Sequence, residues 1–178
     1  FLSSARPFYN STSIMELHPI KPDVYKDFVC GLFQKFGRKV DEDDVLKIYN
    51  AFEGNTYYMQ KTFHEAFINT PECEICNLDM LRQTINSMIE EEGDGYRLLL
   101  SRIPERQKEL LYAIAAEGKA EKIMSSAFIR KYSLLSASSV QAAVRKLMEY
   151  DLLTVDNGTY CISDVLFRMY LIRLRDKN

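Results

Sequence analysis

The tripeptide Asp156-Asn157-Gly158 is the feature that most constrains the fold of this 178-residue chain. Asn-Gly is the strongest short-range signal for a β-hairpin, because both residues tolerate the positive φ that a type I′ turn requires. A β-like run lies on each side of it, over residues 152–155 and 159–162. The sequence therefore predicts a two-stranded hairpin with its tip at Asn157 and Gly158.

Three helical patterns precede the hairpin. The first covers residues 106–117, the second is shorter and covers 126–132, and the third begins behind a Ser136 cap. The third helix has its apolar residues at helical spacing on one face, and these are Val140, Ala143, Val144 and Leu147. An amphipathic helix over 165–174 ends the pattern. Three helices followed by a hairpin predict a winged helix-turn-helix domain, a module that binds DNA or docks onto proteins.

Four further helices are predicted before residue 95, over 22–36, about 41–52, 56–69 and 77–92. In the first of them an apolar residue recurs at every fourth position, which predicts an amphipathic helix with Val24, Phe28, Leu32 and Phe36 on its apolar face. Gly93-Asp94-Gly95 is the most linker-like tripeptide, because two glycines disfavour a continuous helix. A separate short helix is expected over 96–103.

The predicted fold is thus mainly α. An extended segment covers residues 1–20, a four-helix bundle covers 21–95, and a winged helix-turn-helix domain with a small β-hairpin covers 96–178.

The composition indicates which compartment and which classes of partner to expect. The net charge is −2 and the pI is near 5.8, whereas a free-standing DNA-binding protein usually carries a basic excess. Four cysteines are too few for a disulfide framework. No apolar run approaches membrane-spanning length and no secretory signal is visible. A cytoplasmic protein with no membrane contact is expected. The chain begins with Phe1 rather than Met, so we expect a fragment of a longer protein.

Several motifs occur in a characteristic order. Residues 6–12 read Arg-Pro-Phe-Tyr-Asn-Ser-Thr, and residues 14–20 read Ile-Met-Glu-Leu-His-Pro-Ile. Together they resemble the last core strand and exit segment of the archaeal-type AAA/STAND P-loop ATPases. Residues 52–60 are similar to the lid signature of that family, Gly-x-Pro-aromatic-aromatic-x-Gln, with Thr56 in the place of proline. The winged helix in the C-terminal half also fits that family, so the resemblance covers most of the chain.

The resemblance implies a role for each part of the chain. The bundle would be the lid over a nucleotide held by a missing N-terminal ATPase core, and the winged helix would couple the nucleotide state to a partner. The lid residues expected near the nucleotide are Gly54, Asn55, Thr56, Gln60 and Lys61. Residues 56–61 contain no arginine of the second-sensor type. The resemblance allows this, because STAND ATPases commonly lack that arginine. The full-length protein is thereby expected to be an ATPase that uses ATP and magnesium.

The fragment itself carries no G-x-x-x-x-G-K-[ST] motif. No catalytic residue and no cofactor are therefore expected in it.

A second hypothesis stays open, in which the chain is a ligand-sensing or dimerising winged-helix transcriptional regulator that binds DNA directly. The exposed side of the third winged-domain helix offers Ser139, Gln141, Arg145 and Lys146. Gln141 and Arg145 suit base edges, while Ser139 and Lys146 suit phosphates. The same face could instead dock a protein, and the tip of the wing carries no cation.

Cys73 and Cys76 have C-x-x-C spacing, but no second pair of ligands lies at a zinc-binding distance in the sequence. An interhelical loop is the preferred interpretation, and no metal site is expected. His18 and His64 lack a partner set for catalysis, and His18 is interpreted as structural.

Overall fold

A computed structural model describes residues 19–175. The expected exit segment lies outside these residues except for Pro19 and Ile20, and so does His18. The described chain is mainly α. Its helices are α1 Pro22–Lys35, α2 Glu42–Ala51, α3 Thr56–Asn69, α4 Leu78–Ser101, α5 Glu105–Glu117, α6 Ser126–Lys131, α7 Ala137–Glu149 and α8 Val165–Arg175. Its strands are β1 Lys39–Val40, β2 Ile75–Cys76, β3 Ala120–Glu121, β4 Leu153–Asp156 and β5 Thr159–Ile162.

Side-chain caps fix where most of these helices begin. A short polar side chain before the helix accepts a hydrogen bond from a backbone N–H of the first turn, which otherwise has no intrahelical partner. These caps are Asp41 for α2, Asn55 for α3, Asn77 for α4, Ser125 for α6, Ser136 for α7 and Asp164 for α8. Helix α1 begins instead with Pro22, whose missing N–H costs nothing at that position.

The winged helix is confirmed. Strands β4 and β5 pair antiparallel around Asn157 and Gly158, whose φ angles are 48° and 81°, as the hairpin prediction requires. The four apolar residues predicted on one face of the third helix are all buried in α7. A third strand, β3, pairs with β5 and gives the sheet order β3-β5-β4. This strand was not predicted, because two residues are too few to show an alternating pattern.

Helix α1 buries a different face from the one predicted. Val24, Phe28, Leu32 and Phe36 are 58%, 54%, 40% and 52% exposed, whereas Tyr25, Val29 and Phe33 are buried. The buried rings pack on α3, with Tyr25 at 6.1 Å from Phe63 and Phe33 at 5.3 Å from Phe67 between ring centroids. Both stripes repeat every four residues, so periodicity alone could not choose between them.

The prediction of a linker at Gly93-Asp94-Gly95 is wrong, and so is the prediction of a separate short helix over 96–103. Helix α4 runs without a break from Leu78 to Ser101. Tertiary packing holds both of its halves, because Met88 and Ile89 are buried on one side of the glycines and Leu100 on the other. Packing of this kind outweighs the roughly 1 kcal/mol that each glycine costs a helix. The domain limits at 95 and 96 stay a prediction.

Candidate functional site

Helix α7 presents the residues proposed to contact DNA or a partner. Gln141 and Arg145 are exposed one turn apart, as expected. They line a shallow groove of about 830 Å³ that lies between α7, Met124 and Tyr160 of β5. Apolar side chains contribute to the same groove, including Ala142 and Met148. The surface is therefore a mixture of apolar and polar groups, which suits contact with a protein as well as with a base edge.

Of the two residues expected on phosphates, Lys146 has its side chain in an internal ion pair and Ser139 has its backbone N–H in a helix cap. The Lys146 ammonium lies 2.6 Å from a carboxylate oxygen of Glu149. That hydrogen bond from Lys146, together with the charge of Arg145 nearby, lowers the pKa of the Glu149 carboxyl below its ordinary value. Ser139 is half-buried, and its backbone N–H donates to the Ser136 hydroxyl oxygen at 3.2 Å. The exposed face of α7 thus carries a carboxylate beside its two cations.

The wing adds no positive charge. Its tip consists of Asp156, Asn157 and Gly158, which are all exposed. A DNA phosphate would meet a carboxylate there rather than a cation, and phosphate contacts supply most of the affinity of DNA-binding proteins. The positions of Gln141 and Arg145 fit contact with base edges. The charges around them do not add to the affinity for DNA.

Part of the set expected near a nucleotide comes together at the start of α3. Gly54 has a φ of 75° and is buried, and a Cβ on it would lie 2.9 Å from the Tyr49 hydroxyl oxygen. A larger residue would therefore clash there, so this turn requires glycine. The Asn55 side chain caps α3 by accepting from the Tyr58 N–H at 3.3 Å. Thr56 is the first residue of α3.

The other two members of that set lie further along α3. Gln60 lines an apolar groove between α1 and α3, which also contains Phe28 and Phe67. The Lys61 ammonium lies 3.2 Å from a carboxylate oxygen of Glu91 on α4. The structure therefore groups Gly54, Asn55 and Thr56 in one turn and places Gln60 and Lys61 apart from them. Their contact with a nucleotide stays a prediction.

The bundle and the winged helix are joined by side chains that sequence analysis did not single out. We call this contact the joint, and it consists of Ala51, Glu53, Tyr58, Asp164 and Arg168. The Tyr58 hydroxyl donates to the Asp164 carboxylate at 2.8 Å. Arg168 of α8 forms an ion pair with Glu53 and donates to the Ala51 carbonyl oxygen at 3.5 Å.

Electrostatics and ring packing reinforce the joint. The Tyr58 ring stacks on the buried Phe52 ring at 5.7 Å between centroids. Burial raises the pKa of the Tyr58 phenol, and the Asp164 carboxylate raises it further. Burial likewise raises the pKa of Tyr96, whose ring packs on Phe167 at 5.0 Å. A second polar bridge connects α4 and α8, from Arg173 to Glu90 at 2.7 Å.

The two cysteines of the C-x-x-C pair lie between α3 and α4 and differ in exposure. Cys73 is exposed, whereas Cys76 is buried in β2, which pairs parallel with β1. Over residues 19–175, no cluster of His, Cys, Asp or Glu could hold a metal ion. His64 is exposed on α3 and lies 3.6 Å from Glu65. Within the same range, no helix combines the length and the apolar character needed to cross a bilayer.

Two comparisons with known proteins found a similar family or structure. Residues 94–173 match a family model described as "probable winged helix domain". The structure is similar to that of a Walker-type ATPase of Pyrococcus abyssi, with a TM-score of 0.63 and 17% sequence identity. The similarity covers 86% of this chain and 42% of the ATPase, so the chain spans less than half of that protein's length. No curated protein matches the sequence. The chain thus contains a winged helix domain and shares its fold with part of a Walker-type ATPase.

Proposed function

We propose that this chain is the non-catalytic C-terminal part of an archaeal-type AAA/STAND P-loop ATPase. In this proposal the α1–α4 bundle is a lid that closes over ATP and magnesium held by a preceding core. The winged helix moves with the lid and transmits the nucleotide state to a partner. The fold similarity supports the proposal, because it extends over the bundle and the winged helix together.

The observation that carries the coupling role is the joint. Helix α4 belongs to both units, since it packs on α3 in the bundle and on α8 in the winged helix. The Tyr58–Asp164 hydrogen bond and the Arg168–Glu53 ion pair tie the start of α3 and the end of α2 to α8. A displacement of the start of α3 by a bound nucleotide would therefore move α8 as well.

The nucleotide-facing part of the lid would be the turn before α3. Backbone N–H groups at a helix start favour anions, since they carry the positive end of the helix dipole. Gly54 provides the positive φ of this turn, and Asn55 and Thr56 follow it at the start of α3. Gln60 lies one turn further along α3, and Lys61 would have to leave Glu91 to reach a phosphate. These contacts would add to the nucleotide affinity that the core supplies and would not replace it.

The partner that we propose for the winged helix is a protein. The exposed face of α7 combines Arg145 with Met148 and Glu149, and its wing carries Asp156. Such a mixture matches the composition of protein interfaces better than that of DNA-binding surfaces, which are strongly positive. The second candidate function is a regulator that binds DNA directly. One observation favours it, which is the exposure of Gln141 and Arg145 one turn apart on α7.

The reading frame upstream of Phe1 distinguishes the two candidates. A P-loop motif in that frame supports the ATPase proposal, whereas a start codon immediately before Phe1 contradicts it and favours the regulator. The biochemical test uses the protein that includes the preceding core. Replacing Tyr58 by Phe and Arg168 by Gln together should leave ATP binding intact and change the rate of hydrolysis or its response to the partner. Arg82→Gln, on an exposed part of α4, is the control.

A further inference from the structure

A cleft of about 670 Å³ lies between α4, α5 and α8. Its volume falls in the range of sites that bind small molecules. Apolar side chains form part of its wall, including Ile89, Leu100, Tyr112 and Leu174. The cleft lies away from the α7 surface and from the start of α3, so neither proposed site includes it.

Two buried polar atoms in this cleft find no hydrogen-bond acceptor among residues 19–175. Tyr170 is only 5% exposed, and its hydroxyl donates to no described acceptor; the polar group that approaches it is the Arg97 guanidinium, which can only donate. The Nη1 atom of Arg173 is also buried and unpartnered, although Nη2 of the same guanidinium donates to Glu90. Folded proteins rarely leave buried donors unsatisfied, because such groups lose their water without gaining a replacement. Both groups can donate to an acceptor, which points to a ligand that carries one.

The charges of the cleft favour an anion as that ligand. Among the described residues of the lining, Arg97, Lys108 and Arg173 are basic and Glu90 alone is acidic. The carboxylates that pair with Arg97 and Lys108 are those of Asp94 and Glu105. These side chains are 91% and 72% exposed and lie outside the lining, so their pairs are weak. Guanidinium groups bind carboxylates and phosphates well through parallel N–H donors.

Gly93 is a buried residue in the lining of the cleft, where the absence of a side chain leaves space. A Cβ at this position would lie 3.9 Å from Arg97 Nη1 and 3.9 Å from a ring carbon of Tyr170. A larger side chain on the same helix face would fill the space between these two groups. The Arg97 side chain is 67% exposed, so it can turn away from Tyr170 to admit a ligand.

We propose that this cleft binds a small organic anion, in which a carboxylate or phosphate group is attached to an apolar body. The oxyanion lies between Arg97, the Tyr170 hydroxyl and Arg173, and the body lies on Leu100 and Tyr112. Such a ligand would contact the helix that the bundle shares with the winged helix. The proposal does not depend on the function proposed above, since binding to the chain alone can be measured without ATP.

The test is a calorimetric titration of the 178-residue chain with benzoate and with phenyl phosphate, and with benzyl alcohol as the neutral probe. We expect one or both anions to bind and the alcohol to bind at least about tenfold more weakly, since it lacks the charge. Binding of only one anion identifies the preferred oxyanion and supports the proposal. No binding of either anion at millimolar concentration, or equal binding of the alcohol, would overturn it.

Variants locate the site. Tyr170→Phe and Arg97→Gln should each weaken anion binding about tenfold, as expected for the loss of one charge-assisted hydrogen bond. Gly93→Leu should abolish binding by filling the space between Arg97 and Tyr170. Arg82→Gln is the matched control for Arg97→Gln, because both arginines lie on α4 and pair with an aspartate three residues earlier. Unchanged binding in all three cleft variants would refute the site.

A folding control separates binding from structure. The Tyr170 hydroxyl donates to no described acceptor and is approached by the exposed Arg97 side chain, so Tyr170→Phe should unfold at about the same temperature as the parent or at a higher one. If Tyr170→Phe instead melted well below the parent, the hydroxyl would have a structural partner and the argument for a ligand would fail.

Discussion

At the residue scale, Asp164 serves two elements with one carboxylate. Its Oδ1 accepts from the Leu166 and Phe167 N–H groups at 2.8 and 3.0 Å and so begins α8. Its Oδ2 accepts from the Tyr58 hydroxyl on α3. A helix cap is worth about 0.5–2 kcal/mol in most proteins, and this one also sets the position of α3 relative to α8. The side chain that starts a helix is therefore also part of the joint.

The raised pKa of the Tyr58 phenol predicts that the protein loses stability in alkaline solution. Folding raises its pKa above the ordinary value of 10.0, so the folded state holds the phenol proton more firmly than the unfolded state. The resulting stability is complete below pH 10 and is lost as the pH rises from there towards the pKa of the folded state. Chemical denaturation as a function of pH should show this loss. Tyr58→Phe should make it shallower, and an equally steep loss in the variant would contradict the assignment.

Two phenylalanines on α1 test which face of that helix is buried. Phe33 is 2% exposed and Phe28 is 54% exposed. Phe33→Ala should lower the free energy of unfolding by about 3–5 kcal/mol, because it leaves a cavity in the core. Phe28→Ala should change it by less than about 1 kcal/mol. Urea denaturation of the two variants measures both values. If Phe28→Ala were the more destabilising of the two variants, the buried face of α1 would be the one that contains Phe28, as the sequence pattern predicts.

At the scale of elements, the predictable parts are those that local chemistry determines. Ser136 and the Asn157-Gly158 turn fix the start of α7 and the tip of the wing without help from the rest of the chain. The face of α1 could not be predicted, because residues 24 and 25 begin two apolar stripes of the same period. The continuity of α4 depends on partners such as Phe167 and Tyr170, which are distant in sequence.

Gly95 provides a direct test of the continuous α4 helix. It lies in the helix interior and is exposed, and no heavy atom lies within 4 Å of the place that its Cβ would occupy. Gly95→Ala should therefore stabilise the protein by about 1 kcal/mol, since alanine is the better helix former. Urea denaturation measures the gain, and limited proteolysis should produce no early cut within 93–95. Destabilisation by alanine, or early cleavage there, would indicate the linker that the glycines first predicted.

At the scale of the whole molecule, the joint should make the bundle and the winged helix unfold together. The Tyr58–Asp164 hydrogen bond spans 106 residues of sequence and the Arg168–Glu53 contact spans 115. Contacts between elements so far apart leave no trace in local periodicity, which is why the joint was not predicted. The same contacts connect two units that would otherwise be independent.

Calorimetry can measure this cooperativity. The parent chain should show a single unfolding transition, in which both units melt at the same temperature. Combining Tyr58→Phe with Arg168→Gln removes the two side-chain bridges of the joint and should separate the transition into two, or broaden it. The control is Arg82→Gln, which removes an exposed pair within α4. Two resolved transitions in the parent would show that the joint does not couple the units.

The charge distribution of the molecule sets the expected response to DNA. The chain has a net charge of −2, its α7 face pairs Lys146 with Glu149, and its wing tip presents Asp156. We expect weak binding that disappears at physiological salt, because few phosphates would be neutralised and few counterions released. Gel-shift titrations at low and moderate salt measure this, with Arg145→Ala as the variant. If binding were tight and selective at physiological salt, and Arg145→Ala weakened it by about 1–3 kcal/mol, the DNA-binding regulator would replace the ATPase proposal.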